Sequence, residues 1–123
     1  MILCYNLQNC LIYEQIGGKD HVKQIADTII QQMGGRKLCA MVGAKNFTYG
    51  AIEYDGFYQP YMIFQFAMSR KYKYCRVIYN QGADTYIFQL LNRKGEVKFE
   101  LEDVFCEDLI PLFEEKTGLY LHL

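Results

Sequence analysis

The sequence predicts an α+β domain: an N-terminal helix, an antiparallel meander of five or six strands, and a short C-terminal helix packed on one face. Three observations carry this. Val22, Ile25, Ala26, Ile29, Ile30 and Met33 fall at helical spacing and form one apolar stripe. From residue 37 onward, short apolar or alternating runs are separated by turn signals such as Asp55-Gly56 and Asn92 to Gly95. Finally, 11 Tyr and 8 Phe in 123 residues, with no Trp, favour strands.

The elements follow in order. Residues 1–19 fit the scheme least and form an N-terminal extension or arm, leaving 20–123 as a single domain. Asp20 is the expected N-cap of the first helix, and Gly34-Gly35 its stop. Residues 37–42 read as a short apolar segment of the strand region, ending at Gly43. Residues 47–54 make a strand closed by Asp55-Gly56, a strong hairpin signal. The next strand spans 58–68, and Pro60 requires it to start late or to lie at an edge. Strands at 71–79 and 85–91 flank a loop at 80–84. In 96–101, Val97, Phe99 and Leu101 alternate with Glu96, Lys98 and Glu100, the pattern of a strand with one wet face. The last helix begins with Asp108 as cap, tolerates Pro111 in its first turn, and ends at Gly118.

With 51% hydrophobic and 22% charged residues, the chain is globular and able to bury one core without disulfides or a structural metal. The net charge of −1 excludes a wholly polybasic protein. No apolar run reaches the roughly 20 residues of a membrane helix, and the start lacks the basic and apolar regions of a secretory leader. Cys4, Cys10, Cys39, Cys75 and Cys106 are scattered and never spaced C-x-x-C, and His21 and His122 lie far apart. No metal ligand set or other cofactor is expected. Free, mostly buried thiols in a reducing cytoplasm are.

Charge is segregated. Residues 34–76 hold seven basic and two acidic residues, and 96–115 hold eight acidic residues and one lysine. One basic face can therefore meet a polyanion. In Arg70-Lys71-Tyr72-Lys73-Tyr74-Cys75-Arg76, basic groups can track phosphates while Tyr72 or Tyr74 stack on unpaired bases. The competing reading is a strand whose wet face carries lysines that block edge pairing. Arg36, Lys37 and Lys45 would extend the basic face. Gly43 to Phe47, with Lys45 and Asn46, could also form a backbone nest for a small anion, or simply a turn. It is not a phosphate-binding P-loop, because the spacing is missing.

The acids offer a second reading, in which Glu96, Glu100, Glu102, Asp103, Glu107 and Asp108 form a protein-binding face that occupies the nucleic-acid groove of a host enzyme. A carboxylate catalytic pair is a poorer account of these acids, because neighbouring helical positions diverge by about 100°. A hydrolase triad lacks its elbow motif and central histidine. No enzyme is expected. Open sheet edges make a homodimer reasonable.

The stretch Gln32 to Phe47, containing Gly-Gly-Arg-Lys-Leu-Cys-Ala-Met-Val-Gly-Ala-Lys-Asn-Phe, resembles the opening block of a widespread family of small proteins of phages, plasmids and integrated elements. The likeness recurs at Ala83-Asp84-Thr85-Tyr86, at Val104-Phe105 with Glu107-Asp108-Leu109 and Leu112-Phe113, and at the ending from Thr117 to Leu123. It spans residues 28–123 in order. The resemblance implies a mobile-element accessory protein in the bacterial cytoplasm. Nucleic acid, a nucleoprotein or a host defence enzyme as its partner is the expectation from the segregated charge, not from the likeness. It assigns no chemical role to any residue. The longer N-terminal segment and the tyrosine-rich centre depart from the family pattern.

Overall fold

A computed structural model describes residues 16–67 and 69–119. The expectations for the arm at residues 1–15, for Cys4, Cys10 and His122, for Met68 and for the last four residues of the ending lie outside these. The elements are α1 (Lys19–Gln32), α2 (Arg36–Val42), β1 (Lys45–Tyr54), β2 (Phe57–Gln65), β3 (Tyr74–Asn80), β4 (Thr85–Leu91), β5 (Val97–Val104), a 3₁₀ turn (Cys106–Asp108) and α3 (Leu109–Thr117). The five strands form one sheet in the order β1-β2-β3-β4-β5, antiparallel throughout. The α+β meander is as the sequence predicts.

α1 buries Val22, Ala26, Ile29 and Met33, the predicted stripe. Its N-cap is Gly18, with Asp20 inside the first turn, so Asp20 acts on the helix dipole rather than as the cap. The Gly34-Gly35 stop is a Schellman ending: Gly34 N–H donates to Gln31 O at 3.1 Å, and Gly35 N–H to Ile30 O at 2.9 Å. Residues 37–42 correct the strand-region reading, because they belong to helix α2. Leu38 and Val42 are buried while Cys39 and Ala40 are exposed, a spacing of four that suits a helix. Gly43 closes α2 with left-handed φ of 65°.

The β1–β2 turn has φ of 53° at Asp55 and 86° at Gly56, which requires a type I′ hairpin. Pro60 sits inside β2, an interior strand, opposite Ala51 of β1. The β2–β3 ladder begins at Tyr61, so the proline is placed just beyond the region bonded on both sides. β4 is buried along its whole length. Tyr86, Phe88 and Leu90 fill one face, while Ile87 and Leu91 share the other with the buried polar Thr85 and Gln89.

One face carries the helices. There, Phe47, Phe64, Phe66 and Phe113 stack with ring centroids 5.1–6.2 Å apart, around Ile29, Met33, Leu38, Leu90 and Leu109. The second face buries Ile78, Ile87 and Leu91. β1 and β5 are opposite edges of the sheet, yet the Tyr54 hydroxyl donates to the Glu102 carboxylate. The sheet therefore curls and draws its edges together over this second face. Across it runs a polar row. Arg76 Nε donates to Gln89 Oε1 at 2.6 Å, and Gln89 Nε2 to Glu100 Oε1 at 2.6 Å.

β5 corrects a second expectation. Of its apolar set, Phe99 is half-buried, whereas Val97 is 42% and Leu101 46% exposed. It is an edge strand with register shifts near both ends, so its alternation does not translate into one covered face. Among the described cysteines, the expectation of mostly buried thiols holds for one of three. Cys75 is fully buried, and burial holds its thiol well above the usual range, but Cys39 and Cys106 are exposed and free.

The packing predicts a contrast measurable by urea denaturation. Phe113→Ala, at a fully buried ring, should cost about 3–5 kcal/mol. Phe57→Ala, at a ring 72% exposed, should stay within about 0.5 kcal/mol.

Candidate nucleic-acid interface

In a meander, alternate loops land at the same end of the sheet. The register places Lys45 opposite Gln65, Gln65 opposite Tyr74, and Tyr74 opposite Leu91. One end is thus formed by the start of β1, the β2–β3 loop and the β4–β5 turn. That loop is drawn tight: Phe66 N–H donates to Lys73 O at 2.9 Å and Lys73 N–H to Leu91 O at 2.8 Å. Lys45, Arg70 and Lys71 are exposed there and Lys73 is half-exposed. The β4–β5 turn adds Arg93 and Lys94, both exposed. Asn92 holds that turn, its Oδ1 accepting from Lys94 N–H at 3.0 Å and Glu96 N–H at 2.9 Å.

Arg93 and Lys94 are absent from the sequence-based set. The signal that identifies them is topological: in an antiparallel meander, the second and fourth connections share an end. Among the described residues, the ion pairs are Lys98–Glu96 and Lys116–Glu115, so none of these six cations is in one.

The other predicted residues are distributed differently. Arg36 and Lys37 are exposed in the first turn of α2, about 10 Å of helix away from Gly43. Asn46, at φ of 57°, forms the irregularity at the start of β1, and its Nδ2 donates to Gln65 Oε1 at 3.1 Å. That engagement favours the turn reading over an anion nest. Tyr72 is only 7% exposed, so its ring is committed to the core and not offered to a base. The Lys71 ammonium lies 5.3 Å from the Tyr72 ring centroid. Tyr74 is half-buried at the first position of β3. Arg76 belongs to the polar row of the second face, where burial lowers its affinity for a proton while Tyr61 and Glu100 oppose that shift.

The acids do not form one patch. Glu96 lies in the β4–β5 turn at the basic end, accepting from Asn92 Nδ2 at 2.9 Å. Glu100 and Glu102 are bonded to Gln89 and Tyr54, and Thr85 Oγ1 donates to Asp103 Oδ1 at 3.5 Å. Asp103, Glu107 and Asp108 are at or beyond the end of β5, the same end as the Asp55-Gly56 and 81–84 turns. Glu107 accepts from the Cys106 thiol at 3.4 Å, which raises that thiol's pKa. The sheet is therefore basic at one end and acidic at the other.

At the acidic end lies a cleft of about 320 Å³ between α1 and the β3–β4 hairpin, lined by His21, Gln24, Ile25, Thr28, Tyr79, Asp84 and Tyr86. A neighbouring cleft shares Tyr79, Asp84 and Tyr86 and adds Gln32, Val104, Phe105 and Glu107. Three sequence-distant blocks singled out in the sequence thus meet here. Tyr79 OH donates to Asp84 Oδ1 at 2.5 Å and Tyr86 OH to Gln32 Oε1 at 2.6 Å, with the two rings 5.6 Å apart. The Asp84 hydrogen bond, followed by burial, raises Tyr79 to about 12. The pair orients the hairpin and does not exchange protons at neutral pH. Among the described residues, no group of three or more His, Cys, Asp or Glu side chains could hold a metal ion.

The Tyr79 shift has a defined sign. A tyrosine held protonated by the fold contributes stability below the unfolded value near 10, and loses it as pH rises toward 12. Ultraviolet tyrosine titration should show Tyr79 ionising near 12, in a late phase that also holds Tyr54 and Tyr86, whose hydroxyls burial raises too. Asp84→Asn should move one residue of that phase back toward 10. An unmoved titration in the variant would contradict the role of Asp84.

No family model, curated protein or solved structure matches this chain.

Proposed function

We propose that this protein is a non-enzymatic accessory protein that contacts the phosphate backbone of nucleic acid through the basic end of its sheet. The observation that carries the reading is the register, which gathers Lys45, Arg70, Lys71, Lys73, Arg93 and Lys94 from three chain segments. Cations so clustered release condensed counterions on binding. With Tyr72 buried, contact rests on phosphates more than on stacked bases, which favours sequence-tolerant binding. The exposed free thiols of Cys39 and Cys106 suit a reducing compartment such as the bacterial cytoplasm. Together with the family likeness, this supports a mobile-element protein working inside a bacterial host.

A second reading has its own observation. Phe105 is 53% exposed between Asp103 and the pair Glu107-Asp108, an apolar anchor in an acidic surround at the opposite end of the sheet. Such a surface would suit the basic groove of a host enzyme, with the acids standing in for phosphates. Capture from bacterial lysate with and without nuclease treatment separates the two. Material lost on nuclease treatment favours the basic end, and a defined host protein that survives it favours the acidic one.

The first reading predicts a salt dependence. If all six cations engage a single strand, log K against log salt should have a slope of about −4. Lys71→Glu with Lys94→Glu, one from each loop, should flatten it to about −3 and weaken binding, while Arg36→Glu should leave it unchanged. A slope unaffected by the double reversal would refute the assignment.

A further inference from the structure

The two edges of the sheet are built differently. β5 shifts register between Tyr86 and Phe88 and again between Leu90 and Leu91, with Asp103 in the left-handed region. It also exposes Lys98, Glu100, Glu102 and Asp103. Bulges and charges of this kind keep an edge from recruiting another strand. β1 has its single irregularity at its start, between Lys45 and Thr48, and pairs without interruption from Thr48 to Tyr54. That run, Thr-Tyr-Gly-Ala-Ile-Glu-Tyr, contains one charge and no proline. By the same criterion it is the unguarded edge: the Tyr54 side chain reaches Glu102 across the second face, but among the described residues no strand pairs with the outer side of the β1 main chain.

In antiparallel pairing, opposed residues are both bonded across the pair or both not. A strand that pairs symmetrically with its own copy therefore centres on a residue, and the midpoint of this run is Ala51. That register sets Tyr49 opposite Glu53, Gly50 opposite Ile52, and Thr48 opposite Tyr54, and it keeps the two Glu53 carboxylates apart. It also inverts one copy against the other. The basic end of one sheet, at Lys45, then lies alongside the turn of the partner's Asp55, so the opposite charges of the two ends are matched twice.

We propose that the protein forms a two-fold dimer in which β1 pairs antiparallel with β1 of a second copy, centred on Ala51, to make one continuous sheet. The dimer does not depend on the nucleic-acid reading. It leaves the β2–β3 and β4–β5 loops outside the interface and places a basic end at each extremity.

Sedimentation equilibrium at tens of micromolar should give twice the 14.4 kDa chain mass. Ala51→Lys, which sets two ammonium groups against each other at the axis, should return the single-chain mass. A wild-type protein that stays monomeric at 1 mM overturns the proposal, as does a dimer that a folded Ala51→Lys variant leaves intact. Should Ala51→Lys fail to fold, cysteine crosslinking decides. Ala51→Cys places two Cα atoms about 4.5–5.5 Å apart, within disulfide reach, whereas the two copies of Ile52→Cys lie diagonally beyond about 7 Å. A disulfide between the two residues 51, identified by peptide mass spectrometry and absent at 52, supports the register. Crosslinking at 52 or at neither position overturns it.

Discussion

The constraint on which the rest of this molecule depends is the unbroken meander. Because each strand pairs with its sequence neighbour, connections alternate strictly between the two ends of the sheet. The Asp55-Gly56 and 81–84 turns share one end, and the 66–73 and 92–96 connections share the other. Local turn chemistry holds each connection in place: positive φ at Asp55 and Gly56, Asn80 Oδ1 accepting from Ala83 N–H, and Asn92 accepting from two backbone amides. A nearly neutral chain is thereby converted into a sheet with opposite charges at its ends. Long-range electrostatics then follow from hairpin geometry alone.

The two faces of the sheet divide the remaining work. The helix-covered face is an aromatic core built on Phe64, Phe88 and Phe113, whose buried area is the main source of stability. The curled second face is narrower and partly polar. Gly50 packs closely there: a Cβ would come within 3.1 Å of the Tyr61 ring, which would have to shift by a few tenths of an ångström. The Arg76–Gln89–Glu100 row occupies the same face. Hydrogen bonds to charged groups of this kind contribute about 1.5–3 kcal/mol each, and the row fixes β3, β4 and β5 in register. Arg76 and Glu100 are thus better explained by the sheet than by a ligand.

Much of the fold was legible in the sequence, and particular residues show where legibility stops. The α1 stripe, the Asp55-Gly56 hairpin, β4 at residues 85–91, and the Pro111 and Gly118 bounds of α3 all follow from local rules. α2 is not legible in the sequence, because Lys37 to Val42 is too short for helical period to stand out from an apolar run, and only burial of Leu38 and Val42 reveals it. The exposure of Val97 and Leu101 depends on β5 being the last strand, a tertiary fact that alternation does not encode. For the basic site, composition located Lys45, Arg70, Lys71 and Lys73. It wrongly grouped Arg76 and Tyr72 with them, because adjacency along the chain is not adjacency on a surface. Arg93 and Lys94 become visible only once strand order is known.

The most direct test of the charge-sorting account is a backbone amide NMR titration of the whole protein with a short oligothymidylate at low salt. Shifts should concentrate at Lys45, in the 66–73 loop and in the 92–96 turn, and should fade as salt is raised. Shifts confined to the Asp55-Gly56 and 81–84 turns and the residues after β5, or no shifts at millimolar oligonucleotide, would contradict the claim that the basic end is the working surface.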